Sequence, residues 1–249
     1  MRKNKKIALI GGLDPTGHAG VLADARVAQD LGLNYATVVT ALTAQTDSQF
    51  FGWESCSSKL FRYQLQACGK KIWGVKIGMI GDTRFITPLV QWLDRVKPRH
   101  VLWDPVFASS SGGKLLTAKK WNGSLAKLLR RTTVWTPNLP EAQWILGRRP
   151  IQSVADMESA LLDLFKLFPA TARPWILLKG GHLPAKEKQI IDLLSDGKKI
   201  HRFAIKRRKK NPRGTGCTLG SALLAHLSQG LPLPLAFHHA RRFLFREKF

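Results

Sequence analysis

The chain has 249 residues, of which 44 % are hydrophobic and 22 % charged, a balance that fits a packed core and excludes a disordered chain. No apolar run reaches the roughly 18 residues of a membrane-spanning helix, and the apolar stretch behind the basic start MRKNKK is too short for a signal peptide. Forty Lys and Arg against 16 Asp and Glu give a net charge of +24, a field that attracts polyanions, yet no RNA- or DNA-binding motif accompanies it.

In chain order, strand-like runs alternate with amphipathic stretches of helical period. Residues 7–10 predict a strand running into a glycine turn, 21–31 a helix, and the Thr- and Val-rich 35–42 a second strand. Helix 59–68 precedes a short strand at 73–77, and helix 84–96 precedes a strand at 100–103 that ends on Asp104. A strand at 132–135 leads into Asn138-Leu-Pro-Glu141, which opens a helix; helix 154–168 and strand 175–178 follow. Segments 190–195 and 199–205, joined across Asp196-Gly197, predict a hairpin, because Asp-Gly is a hairpin turn signal. Helices at 218–227 and 234–245 complete the chain. Repeated βα units predict a mostly parallel sheet covered by helices on both faces, and the absence of a linker or repeat predicts one domain over 1–249.

In such a sheet, ligands bind outside the carboxyl ends of the strands. Gly11, Gly12, Asp14, Thr43, Gln45, Gly78, Met79, Asp104, Asn138, Glu141, Lys179 and Gly180 all follow strand ends, which predicts one shared site. Arg213-Gly-Thr-Gly-Cys217 stands before a helix, where backbone N–H groups and the helix dipole favour an anion. Its spacing is neither that of a Walker A loop nor that of a dinucleotide fingerprint. Cys217 in a helix first turn is expected to have a lowered pKa and so to serve as a base; the alternative is a small thiol that packs. Lys179, delivered by a strand end into a glycine turn, can reach a transferring phosphate. Asp104 and Glu141 are carboxylates of the kind that hold Mg²⁺ on ATP, while Glu141 also suits a helix first turn. Asp24 either bonds a substrate group or is an exposed helix carboxylate. Gln45 can pair with an aminopyrimidine edge, and Met79 can wall a ring or pack in the core.

Seven segments in register carry a resemblance: GGLDPTGHAGVLAD, TALTAQ, KIGM, DPV, TPNLPEA, LKGGHL and RGTGCTLGSALLA. The chain resembles the hydroxymethylpyrimidine/phosphomethylpyrimidine kinases of the ribokinase-like superfamily from Ile7 to about Phe243. The resemblance implies a three-layer α/β/α sandwich, often dimeric. It also implies ATP-dependent phosphorylation of a hydroxymethylpyrimidine and of its monophosphate, for thiamine biosynthesis. Carried over, Gly12, Asp24, Thr43, Gln45 and Met79 line the pyrimidine pocket, and Asp104 and Glu141 organise Mg²⁺. Asn138, Lys179, Arg213 and Thr215 contact ATP. Gly214, Thr215, Gly216 and Cys217 form the anion hole, with Cys217 nearest the reacting hydroxyl. Three positions depart from the pattern. His18 and Arg213 stand where glycine and histidine are frequent, and Cys217 stands where many sugar and pyridoxal kinases carry Asp. Cys217 and Gln45 favour the pyrimidine branch over a pyridoxal kinase. A catalytically weak relative that binds nucleic acid is the other alternative.

The three cysteines, Cys56, Cys68 and Cys217, have an odd number and no metal-like spacing, as expected of a reduced, cytoplasmic protein. Residues 201–249 hold eleven Lys and Arg against one acid, Glu247. A solvated basic surface is the plain expectation for this charge, a rim that draws in nucleotide phosphates is the second, and a dedicated nucleic-acid function is the weakest of the three.

Overall fold

The computed structural model describes residues 5–46, 48–109, 112–147, 150–184, 189–207 and 215–246. Strand β1 (Lys6–Leu13) alternates its side chains between two cores. Ile7 and Leu9 point to one, Ala8 and Ile10 to the other, the period-2 consequence of extended backbone. The first core is closed by α1 (Gly20–Asp30), α7 (Thr215–Ser228) and α8 (Leu233–Arg246), through residues such as Val27, Leu223 and Phe237. The second is closed by α2 (Ser58–Ala67), α3 (Ile86–Val96), α4 (Gly123–Leu129), α5 (Leu139–Leu146) and α6 (Val154–Phe165). Helices therefore cover both faces of one sheet, the expected three-layer α/β/α sandwich.

The sheet adds β2 (Asn34–Gln45), β3 (Phe50–Ser55), β4 (Gly74–Ile77), β5 (His100–Trp103), β6 (Val134–Trp135), β7 (Trp175–Leu178), β8 (Gln189–Ser195) and β9 (Ile200–Lys206). Its order is β3-β2-β1-β4-β5-β6-β7-β8-β9. The pairs from β2 through β7 are parallel, whereas β3 and the β8–β9 hairpin pair antiparallel at the two ends. The Asp196-Gly197 hairpin is present, with the Asp196 carboxylate accepting the N–H groups of Lys198 and Lys199.

Several boundaries differ from the sequence reading. Strand β2 runs on to Gln45, so Thr43 and Gln45 are strand residues rather than residues past a strand end. Their partner β3 was not anticipated, because Phe50–Ser55 carries Gly52 and an exposed Phe51 and has no one-sided apolar alternation. Helix α4 was likewise missed. It is two turns long and is set by Asn122, whose side chain accepts from Ser124 N and Leu125 N. Strand β6 keeps only two residues of 132–135, α6 stops at Phe165, and α7 is already helical at Thr215 rather than at Thr218.

Candidate active site

The parallel strands all point their carboxyl ends at one cavity of about 930 Å³. Gly12, Asp24, Thr43, Gln45, Met79, Asp104, Asn138, Glu141, Lys179, Thr215, Gly216 and Cys217 all line it. Arg213 and Gly214, predicted to contact ATP and complete the anion hole, lie outside the described residues.

At one end, three adjacent strand ends build a charged cluster. Asp104 follows β5, Thr136 follows β6 and Lys179 follows β7. The Lys179 ammonium donates to Asp104 Oδ1 at 2.6 Å, and Thr136 Oγ1 donates to the same oxygen at 3.0 Å. Burial works against both ions, but the charges of Lys179 and Lys76 outweigh it and hold the Asp104 carboxyl below its usual range. Asp104 and Glu141 likewise outweigh burial at Lys179 and raise its pKa, so the ammonium stays charged.

Glu141 sits in the first turn of α5. Asn138 Oδ1 accepts from Glu141 N at 2.9 Å, and Glu141 Oε2 accepts from Asn138 N at 2.7 Å, a reciprocal cap that fixes both side chains. Burial, reinforced by Asp104 and opposed by Lys179, pushes the Glu141 carboxyl up to about 8. Two buried carboxylates beside an ammonium, in a site open to ligand, suit a hard cation that shares its coordination with phosphate and water. Among the described residues no group of three or more His, Cys, Asp or Glu forms a self-sufficient metal cage.

Helix α7 opens onto this cluster. A Cβ placed on Gly216 would lie 3.5 Å from both Asp104 Oδ2 and Lys179 Nζ, so the first turn, whose N–H groups have no carbonyl partner within the helix, faces the ammonium. Cys217 is half-buried, and the backbone N–H of Gly20 bonds to it. Burial pushes its thiol pKa up, with Lys76 only partly compensating, and this corrects the expectation of a thiol made acidic by the helix terminus.

At the other end the walls are less charged. A Cβ on Gly12 would meet Met79 Sδ at 2.7 Å, so the glycine lets the methionine side chain lie against the turn. Gly20, at φ +64°, packs against the Gly12 carbonyl so closely that any side chain would collide with it. Thr43 Oγ1 donates to Leu13 O, and Gln45 Nε2 donates to Thr43 Oγ1 at 3.1 Å. Gln45 Oε1 is buried and has no hydrogen-bond partner among the described residues.

Asp24 is not the exposed helix carboxylate of the second sequence alternative. It is fully buried, its carboxylate accepting from Lys76 Nζ at 2.7 Å and Ser221 Oγ at 2.8 Å. That network ties β4, α1 and α7 together beneath the cavity. The carboxylates of Asp24 and Asp104 overcome the effect of burial and keep Lys76 an ammonium. Lys76 escaped the sequence reading, although a lysine inside the apolar run Val75–Ile77 was a signal, since a buried ammonium demands a buried acid.

A model of the phosphomethylpyrimidine kinase family matches residues 14–247. The hydroxymethylpyrimidine/phosphomethylpyrimidine kinase of Aquifex aeolicus is 33 % identical over 238 residues, covering 94 % of this chain and 91 % of that protein. The crystal structure of phosphomethylpyrimidine kinase from Clostridium difficile superposes with a TM-score of 0.81 at 29 % identity, covering 97 % of this chain and 98 % of that one. An ADP complex of Bacillus subtilis pyridoxal kinase superposes at 0.79 with 25 % identity, over 96 % of this chain and 89 % of that one. The chain belongs to the phosphomethylpyrimidine kinase family, and it is a phosphotransferase with a ribokinase-like fold.

Proposed function

We propose that this member of the family moves the γ-phosphate of ATP onto the hydroxymethyl group of an aminopyrimidine and then onto the resulting monophosphate, making a pyrophosphate for thiamine biosynthesis. The observation that carries the phosphoryl-transfer step is the meeting of the α7 first turn with Lys179 and Asp104. Phosphoryl transfer asks chiefly for positioning and for positive potential where charge develops. Lys179 and the N–H groups from Thr215 onward supply that potential, and Asn138 at the start of α5 adds a polar contact for ATP. Asp104 and Glu141 would hold the Mg²⁺ that accompanies ATP, and the ion would there neutralise phosphate charge. Arg213 and Gly214 complete the nucleotide end in this reading.

The ring lies against Gly12 and Met79, and Gln45 Oε1 accepts from the ring's amino group, which gives that buried oxygen its missing partner. Asp24 holds Lys76 beneath the pocket instead of touching substrate. Cys217 lies nearest the reacting hydroxyl as a neutral thiol, a polar neighbour and not a standing base. In a loose transition state the hydroxyl proton departs late, so a strong base is not needed early. The reading includes one domain over 1–249, a homodimer and a cytoplasmic location. Among the described residues no helix is long and apolar enough to cross a membrane.

The test is an ATP- and Mg²⁺-dependent assay with the hydroxymethylpyrimidine, resolving monophosphate from diphosphate, with pyridoxal as a second acceptor. Diphosphate from the pyrimidine is expected. Turnover of pyridoxal alone would transfer the reading to a pyridoxal kinase, whose fold is shared.

A further inference from the structure

The charge of +24 is not concentrated at the active site. Each strand of the sheet centre is entered through a basic residue: Lys71 before β4, Arg99 before β5, Arg130 before β6 and Arg173 before β7, while Lys199 lies in the β8–β9 turn. All five are exposed. Backbone hydrogen bonds hold these strand entries side by side: Arg99 N donates to Trp73 O, Thr133 N to Val101 O and Trp175 N to Thr133 O. The β8–β9 turn joins the same edge, because Ser195 pairs with Ile176 near the start of β7. Among the described residues none of the five makes an ion pair, whereas nearby Arg131 is neutralised by Asp94. The strand entries lie at the opposite end of the sheet from the cavity, so this charge is not part of a rim around the nucleotide.

We propose that this amino-terminal edge of the sheet is a docking surface for double-stranded nucleic acid, held through its phosphates without base recognition. At about 4.8 Å per strand, the row from β4 to β8 spans roughly 19 Å. A duplex presents about one phosphate charge per 1.7 Å of its axis, roughly eleven over that length, so each cation of the row has a phosphate within reach. An acidic bilayer fits less well, because interfacial binding calls for apolar anchors among the cations. Two of the most exposed large apolar side chains, Leu42 and Phe51, instead lie on the β2–β3 extension at the cavity end.

The test uses the full chain and a fluorescent 30-base-pair duplex of arbitrary sequence, titrated between 50 and 300 mM KCl. Binding is expected at 50 mM, weakening steeply with salt. Replacing Lys71, Arg99, Arg130 and Lys199 together by Gln should weaken it at least tenfold and flatten the log–log salt slope by about 3.6. Kinase turnover should stay within twofold. A control replacing Lys59, Arg62, Arg84 and Arg242 by Gln removes the same charge elsewhere and should retain most binding. Equal loss in both variants would reduce the effect to bulk charge and overturn the proposal. So would no duplex binding at 50 mM KCl, or binding to phosphatidylserine vesicles without binding to duplex.

Discussion

Lys179 and Asp104 meet at 2.6 Å across an intervening strand: β7 delivers the lysine, β5 the aspartate, and Thr136 at the end of β6 bonds the same carboxylate oxygen between them. Neither ion tolerates burial alone. The pair therefore serves stability and, on the proposed reading, charge stabilisation in phosphoryl transfer. The two roles separate by mutation.

Lys179→Ala removes the cation at the transferring phosphate and should lower kcat by about 10²–10³ or more. It also strands the buried Asp104, at a cost of about 3–5 kcal/mol in denaturant unfolding. Adding Asp104→Asn should restore much of the stability and none of the turnover. Recovery of turnover by the double variant would show that Lys179 is only structural.

Gly216→Ala separates sterics of fold from sterics of ligand. Its methyl group would sit 3.5 Å from Asp104 and Lys179, ordinary contact distance, so the melting temperature should hardly move. The same methyl group occupies the approach to the α7 N–H groups, and nucleotide affinity should fall at least tenfold in a titration with ADP.

Glu141 sets a pH dependence. With its carboxyl at about 8, the free protein holds Glu141 largely protonated at neutral pH. Cation binding needs the carboxylate, so Mg²⁺-nucleotide affinity should rise with pH up to about 8 and then level off. Calorimetry in two buffers should record proton release. In EDTA the trend should reverse, because the neutral acid repels phosphate less. Glu141→Gln should abolish both trends.

Cys217 should react as a hindered neutral thiol. Burial raises its pKa above the ordinary value of 9.0, so its alkylation by iodoacetamide, followed by mass spectrometry, should keep accelerating above pH 9 without a plateau near neutrality. Cys217→Ser should leave the acidic limb of the pH–rate profile where it is. A plateau below pH 8 would restore the thiolate as base.

Lys76→Met leaves Asp24 as an uncompensated buried charge and should cost about 3–5 kcal/mol. Lys76→Met combined with Asp24→Asn should recover most of that loss in urea unfolding, since Ser221 still has an acceptor.

The sequence by itself determined the layered sheet, because apolar alternation and helical period are local properties that tertiary packing had no reason to override. It also determined which strand ends meet at one cavity, since loops at the carboxyl ends of parallel strands converge whatever their exact geometry. Residues 35–42 read as a strand and 59–68 as a helix on such grounds, and both elements are present. Only the tertiary structure decided what depends on distant partners. That Asp24 is the buried counter-ion of Lys76, 52 residues away, is one such case. Burial reversed the pKa shift that the helix position of Cys217 predicts, because desolvation is a property of everything packed around a thiol. Strand β3 exists because β2 offers it a ladder, and its own six residues carry no pattern that requires it. The basic residues scattered over the chain fall partly into one row only because strand entries from distant segments are hydrogen-bonded side by side.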